Sequence, residues 1–155
     1  MTRFLVTAAL ALGIVSCSDS TGPHGLRLTM SVDRAQVSRD GSVEVTLTAT
    51  NTSHRAVTVF SPESYGACMR AFRVFNATQR EVQVETFLCA LLQVIGPLPI
   101  ELAPGQSVTA RDNWEPGRST LDGQPIPVGT YRLVGHYHVE EAIAVTTPRT
   151  ITVVP

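Results

Sequence analysis

Hydrophobic and polar residues alternate one by one along most of the chain after residue 25. In residues 26–33, LRLTMSVD, apolar side chains take every second position, and the alternation returns in residues 42–50, SVEVTLTAT. A period of two is typical of a β-strand with one buried face. The pattern predicts eight strands, at residues 26–33, 42–50, 55–61, 70–76, 81–87, 107–114, 129–140 and 149–154.

Turn-forming residues separate these segments, and no stretch has a clear helical period. Asp40-Gly41, for example, directly precedes the second strand. Short strands punctuated by Gly and Pro favour an all-β antiparallel sandwich or barrel. Residues 87–95, FLCALLQVI, are apolar on every face, so a buried strand and a short helical turn both stay open there.

Length and charge narrow the classes of function. The chain has 155 residues, which predicts one domain. Its formal net charge is −1 and only 16% of its residues are charged, so it lacks the basic surface that nucleic-acid binding needs. We therefore expect no nucleic-acid partner. The sequence contains no GxSxG, HExxH, catalytic-cysteine or phosphate-binding glycine motif, and we expect neither catalytic residues nor a cofactor.

The first residues have the features of an export signal. Arg3 provides a positive charge and residues 4–15 an apolar run that is too short to cross a bilayer. Ile14-Val15-Ser16-Cys17 resembles the bacterial lipobox at every position. The resemblance implies that residues 1–16 are a lipoprotein signal peptide and that Cys17 becomes the lipid-modified first residue. An ordinary secretory signal is the alternative.

Residues 17–25 then predict a lipidated N-terminus followed by a flexible tether, because SDSTGPHG is small, polar and turn-prone. The membrane is thus an expected partner through the lipid. Ser18 replaces the aspartate that favours inner-membrane retention in enterobacterial lipoproteins, so the resemblance favours the outer membrane over the inner one.

Two further cysteines, Cys68 and Cys89, lie in the exported part of the chain. Because exported proteins meet oxidising conditions, we expect a disulfide between them, with two separately buried thiols as the alternative. Closing a loop of this length would stabilise the fold by about 3 kcal/mol.

Four segments together resemble a known family. They are TATNTSHRAVTVFS, which contains Asn51, then FRVFN, LAPGQSVTARDNW and VGTYRLVGHY. This order is similar to the intracellular proteinase inhibitor domain of the BsuPI type, an immunoglobulin-like β-sandwich. The resemblance covers about residues 26–153, and we assign residues 26–155 to the domain. It implies an immunoglobulin-like antiparallel sandwich of about 7–9 strands and, as a function, proteinase inhibition.

One strand carries a pattern that suits metal binding. In GHYHVE, the side chains of His136, His138 and Glu140 alternate onto one face, a spacing that could present two imidazoles and a carboxylate to an ion. Tyr137 and Val139 take the opposite, inward register, so the histidine face is equally the solvated side of the strand. We therefore assign no metal and keep these three residues as weak candidates.

Binding to a partner protein would need an exposed, pre-organised loop. Residues 61–68, SPESYGAC, form one candidate and contain Tyr65. Residues 115–129 form the other, in which three prolines flank Arg118 and Leu121. Plain surface connections are the alternative for both.

The sequence thus predicts a lipid-anchored, non-catalytic binding module of the cell envelope, possibly inhibitor-like, whose partner is a protease or another envelope protein. A structural or complex-assembly lipoprotein is the alternative, and a metal-binding protein that uses the His-x-His strand is a weaker one.

Overall fold

The computed structural model describes residues 18–60, 70–84, 99–139 and 142–155. In these ranges the chain forms fourteen strands and two short 3-10 turns, Pro23–Gly25 and Pro116–Arg118. None of the described segments is a helix of the length and hydrophobicity that crossing a membrane requires. The strands are β1 Ser18–Thr21, β2 Leu26–Val32, β3 Gln36–Ser38, β4 Val43–Asn51, β5 Val57–Phe60, β6 Phe72–Asn76, β7 Glu81–Val84, β8 Pro99–Leu102, β9 Ser107–Trp114, β10 Ser119–Leu121, β11 Gln124–Pro125, β12 Gly129–Val139, β13 Ala142–Val145 and β14 Arg149–Val154.

The predicted all-β antiparallel sandwich is confirmed. All eight predicted strands are present, as β2, β4, β5, β6, β7, β9, β12 and β14. The structure has more strands than the eight predicted because it also contains short segments, most of them at sheet edges. One pairing departs from the antiparallel pattern, since β3 runs parallel to β14.

The strands form two sheets. The smaller has the order β1-β2-β4-β9, and the path through the larger is β11-β10-β7-β6-β12-β14-β3. Strands β5 and β13 pair with the C-terminal half of β12, and β8 pairs with β5. Side chains of both sheets meet in one hydrophobic core, and the long strands β4 and β12 bury every second residue.

Strand β12 is the longest and lies at the centre of the larger sheet. Its N-terminal half pairs with β6 and β14, and residues 136–139 pair with β13. Gly135 lies between these halves and faces the smaller sheet, where a Cβ atom would come within 2.7 Å of Leu47 Cδ1. A side chain at this position would therefore force Leu47 to shift.

The segment predicted as a flexible tether, residues 17–25, overlaps a paired strand in the part that the structure describes. Residues 18–21 form β1, which pairs antiparallel with β2. The Gly22 N–H donates to the carbonyl of Leu26 at 2.6 Å, and the carbonyl of Gly25 accepts from Thr52 N–H at 2.8 Å. Composition suggested a tether because the side chains are small and polar, but backbone groups hold this segment.

Several predicted residues lie outside the described ranges. They include residues 1–16, Cys17, the loop with Tyr65, the cysteines Cys68 and Cys89, and Glu140. Lipid attachment and the disulfide accordingly stay predictions.

Candidate functional site

The segment that connects β9 to β12 starts from a buried tryptophan. The indole Nε1–H of Trp114 donates to the Ser119 hydroxyl at 3.0 Å, and that hydroxyl donates to the carbonyl of Glu115 at 3.0 Å. Both Trp114 and Ser119 are inaccessible to solvent, and Pro116 between them is also buried. These contacts fix the first turn of the segment to the core.

The middle of the segment is a β-hairpin. Leu121 pairs with Gln124, so that only Asp122 and Gly123 connect β10 to β11. Both have positive φ, 55° and 74°, which is the backbone of a type I′ turn. The hairpin joins the larger sheet through the pairing of β10 with β7. Arg80 also forms an ion pair with Asp122 at its tip.

The end of the segment is also held by hydrogen bonds. Ile126 is buried, its N–H donates to the carbonyl of Ser119 at 3.1 Å, and its own carbonyl accepts from Arg39 Nη2 at 2.6 Å. The Tyr131 hydroxyl donates to the carbonyl of Pro127 at 2.6 Å. Burial raises the pKa of Tyr131, with Arg39 opposing, so the hydroxyl keeps the proton it donates.

Of the two residues predicted in this segment, one is largely exposed and the other packs against the core. Leu121 packs against the hydrophobic core. Arg118 is 55% exposed and contacts Glu115 through an Nη1–Oε2 distance of 3.3 Å. Val128 follows the hairpin and is 50% exposed. A cavity of about 410 Å³ lies beside Arg118, lined by Gln83, Val84, Gly117, Arg118, Ser119, Thr120 and Pro125. We call Arg118, Val128 and this cavity the hairpin surface.

The chemistry of the hairpin surface suits recognition. An exposed arginine–carboxylate pair contributes little stability, so an acidic group of a partner can replace Glu115 at the guanidinium. The cavity adds a largely polar lining, which includes Gln83 and Thr120.

The histidines of β12 lie on one face, as the alternation predicted. Burial alternates along β12, with Tyr137 and Val139 inside and His136 and His138 on the outer side. Their ring centroids are 6.1 Å apart. They border a groove of about 270 Å³ together with Arg73, Phe75, Val134, Ile143 and Val145.

The electrostatics of this groove keep His136 uncharged. Burial lowers its pKa, and the positive charges of His138 and Arg73 lower it further, while Glu81 opposes them. Its Nδ1 is buried and has no hydrogen-bond partner among the described residues. Protonation would create a buried N–H without an acceptor, which reinforces the neutral form.

The weak metal-binding candidate formed by His136, His138 and Glu140 stays untested, because Glu140 lies outside the described ranges. The described residues contain no group of three or more His, Cys, Asp or Glu side chains arranged to hold an ion. The buried Nδ1 of His136 also means that this nitrogen cannot reach an external ion without rotation of the ring.

Asn51, one of the residues that carried the family resemblance, has a structural position. Its Nδ2 donates to the carbonyls of Arg55 and Leu102 at 2.7 and 2.8 Å, and its Oδ1 accepts from the Ser53 N–H and hydroxyl. The side chain is fully buried. It therefore joins the turn after β4 to the end of β8.

Sequence reasoning missed the residues that hold the hairpin surface. Ser119 is held by Trp114, and Ile126 is held by Arg39. Arg39 and Ile126 are 87 positions apart in the sequence. The hairpin itself had a signal, since Asp-Gly is a preferred pair for a type I′ turn.

Comparisons with known proteins do not assign the chain. No family model matches it, and no curated protein does. Among solved structures it is similar to the putative ApaA protein from Bordetella pertussis, at 16% identity and a TM-score of 0.46, over 86% of this chain and 98% of that one. The C-terminal domain of Wzt matches at 8% identity and a TM-score of 0.48, over 86% and 76%. A β-glucosidase from Listeria innocua matches at 15% identity and 0.46, but the chain spans only 16% of it.

Proposed function

We propose that the chain is a lipid-anchored, non-catalytic binding module of the cell envelope that recognises a protein partner through its hairpin surface. The supporting observation is the fixation of residues 115–128 at both ends, by a buried hydrogen bond from Trp114 to Ser119 and a partly buried one from Arg39 to Ile126.

Rigidity supports this function because a pre-ordered surface loses little conformational entropy when it binds. The segment thus holds one exposed arginine, Arg118, between contacts that fix both of its ends. Arginine is also among the residues that contribute most to protein interfaces. The partner we infer presents an acidic group to Arg118 and an apolar side chain to Val128.

Proteinase inhibition is a more specific form of this proposal and rests on the BsuPI resemblance. Arg118 lies in a 3-10 turn, with its N–H donating to the carbonyl of Glu115 at 3.1 Å. Because this backbone is folded onto itself, it cannot pair as an extended strand in a protease cleft. Inhibition would therefore proceed by docking on the enzyme surface.

A crosslinking experiment tests the binding function. The chain, Arg118→Ala and the control Arg27→Ala, which alters an exposed arginine on β2, are crosslinked in native membranes, and the adducts are identified. An adduct that is lost in Arg118→Ala and kept in Arg27→Ala supports the proposal. Adducts that are equal in all three proteins favour a structural role, and the absence of any adduct overturns the proposal.

The same three proteins test inhibition. Each is added in excess to a panel of serine proteases, and residual activity is measured. Inhibition that only Arg118→Ala loses would make the chain an inhibitor. If the folded protein inhibits none of them, the inhibitor form is overturned and the crosslinking result decides the rest.

The anchor has its own test. Replacement of Cys17 by Ser should leave an unprocessed precursor without lipid, which intact mass and detergent partitioning detect. Unchanged processing and partitioning would contradict lipid attachment at Cys17.

A further inference from the structure

Three large hydrophobic side chains of the described residues are about half exposed, and two of them are neighbours. Ile143 is 56% and Val145 52% exposed, while Ala144 between them is buried at 1%. Both therefore point outward from β13, where they pair with His138 and His136 of β12. The third, Val128, lies before the opposite end of β12.

Strand β13 lies beside the point where the chain enters the domain. A Cβ atom on Gly22, the residue after β1, would lie 2.8 Å from the Cβ of Ala144. Ser18, the first residue of β1, pairs with Met30, and Met30 Sδ is 3.2 Å from the position of a Cβ on Gly135. Gly135 precedes His136, the partner of Val145. Ser18 and Val145 are therefore at a similar level on one side of the sandwich.

This placement limits how far the domain can stand from a membrane. Cys17 directly precedes Ser18, and one residue spans at most about 3.5 Å. Because residues 18–21 are paired in a sheet, acyl chains on Cys17 would enter the bilayer next to β1. The side of the sandwich that contains β1 and β13 would then face the lipid surface.

We propose that the outward face of β13, with Ile143 and Val145, contacts the interfacial region of the bilayer in the anchored protein. This inference rests on the lipid attachment of the proposed function. Two aliphatic side chains beside a lipid anchor add buried apolar area to the attachment. The contact would also give the domain one preferred orientation on the membrane.

The charges beside β13 do not oppose the contact. Arg73 and Glu81 form an ion pair, so together they bring no net charge to the groove. His136 is held neutral by its burial and by the positive charges of His138 and Arg73. The ion pair and the neutral His136 therefore add no net charge to the groove, and a positive charge there would meet the anionic headgroups of the bilayer.

Photo-crosslinking to lipid tests this contact. A benzophenone-bearing amino acid is introduced in place of Ile143 in one protein and of Val128 in a second, matched protein. Both positions are exposed aliphatics, so folding should tolerate the change. Each chain is purified with its lipid and reconstituted in vesicles of phosphatidylethanolamine and phosphatidylglycerol. Intact mass establishes the modification of Cys17 before irradiation.

The outcomes separate the two proposals. Lipid adducts several-fold more abundant at position 143 than at position 128 support the contact. Equal or absent adducts in a chain that carries its lipid overturn the contact and leave the anchor intact. A mature chain without lipid on Cys17 overturns both.

Discussion

Trp114 and Ser119 form a hydrogen bond that is shielded from solvent, with the indole nitrogen 3.0 Å from the hydroxyl oxygen. The ring of Trp114 also packs edge-on against Tyr131, with centroids 5.6 Å apart. The tryptophan thereby connects the last residue of β9 to the hairpin and to the central strand β12. The hairpin is therefore attached directly to the hydrophobic core through Trp114.

Replacement of Ser119 by Ala should destabilise the protein by about 1–2 kcal/mol, because the buried indole N–H loses its acceptor. Urea denaturation followed by the fluorescence of Trp114 measures the change. The control is Ser107→Ala, which removes an exposed hydroxyl that contacts Thr50 at 2.8 Å, and should have a much smaller effect. Equal effects of the two variants would contradict the structural role of Ser119.

Replacement of Asn51 by Ala should cost about 2–3 kcal/mol, since it leaves the carbonyl of Leu102 and the N–H of Ser53 without their partners. The free energy of unfolding in urea is the measurement. Asn113→Ala, at an exposed position of β9, is the matched control. Asn51→Ala as stable as this control would rule out the clamp between the turn and β8.

Stability should decrease in acid because of His136. Its folded pKa lies below the usual 6.5, so the unfolded chain binds a proton first as the pH falls. Stability is full above about pH 6.5 and is lost as the pH falls from there through the lower folded pKa. Urea midpoints between pH 8 and 5 should therefore decrease more for the natural chain than for His136→Gln. His54→Gln, in an exposed turn, should keep the natural slope. A slope unchanged in His136→Gln would refute this assignment.

If the chain is exported as proposed, it should contain a disulfide between Cys68 and Cys89. Mass spectrometry of the alkylated, digested protein should find the two peptides joined before reduction and separate after it. Free thiols on both residues would exclude the bridge, and the alkylated mass would reveal them directly.

Strands that bury one face could be predicted from the sequence, and strands held mainly by backbone pairing could not. Strand β12 alternates strictly, with Tyr131, Leu133 and Tyr137 inside. Strand β13 was missed because its larger apolar side chains, Ile143 and Val145, point outward. The small polar residues of β1 give no period and therefore predict a tether. In the structure, the backbone of this segment extends the edge of the smaller sheet.

The candidate site was predicted only in outline. The prolines around Arg118 predict a restrained segment, but β10 and β11 have three and two residues, too few to show a period. The contact between Arg39 and Ile126 depends on the packing of distant strands. No local pattern could therefore have identified the residues that fix the hairpin surface.

Strand β12 sets the distance between the hairpin surface and β13. Its eleven residues, at about 3.3 Å each, extend roughly 35 Å from the end next to the hairpin surface to the end that pairs with β13. With β13 at the bilayer, a partner bound beside Arg118 would dock at the other end of this strand. Lipid contact and partner binding would then use separate residues and would not compete.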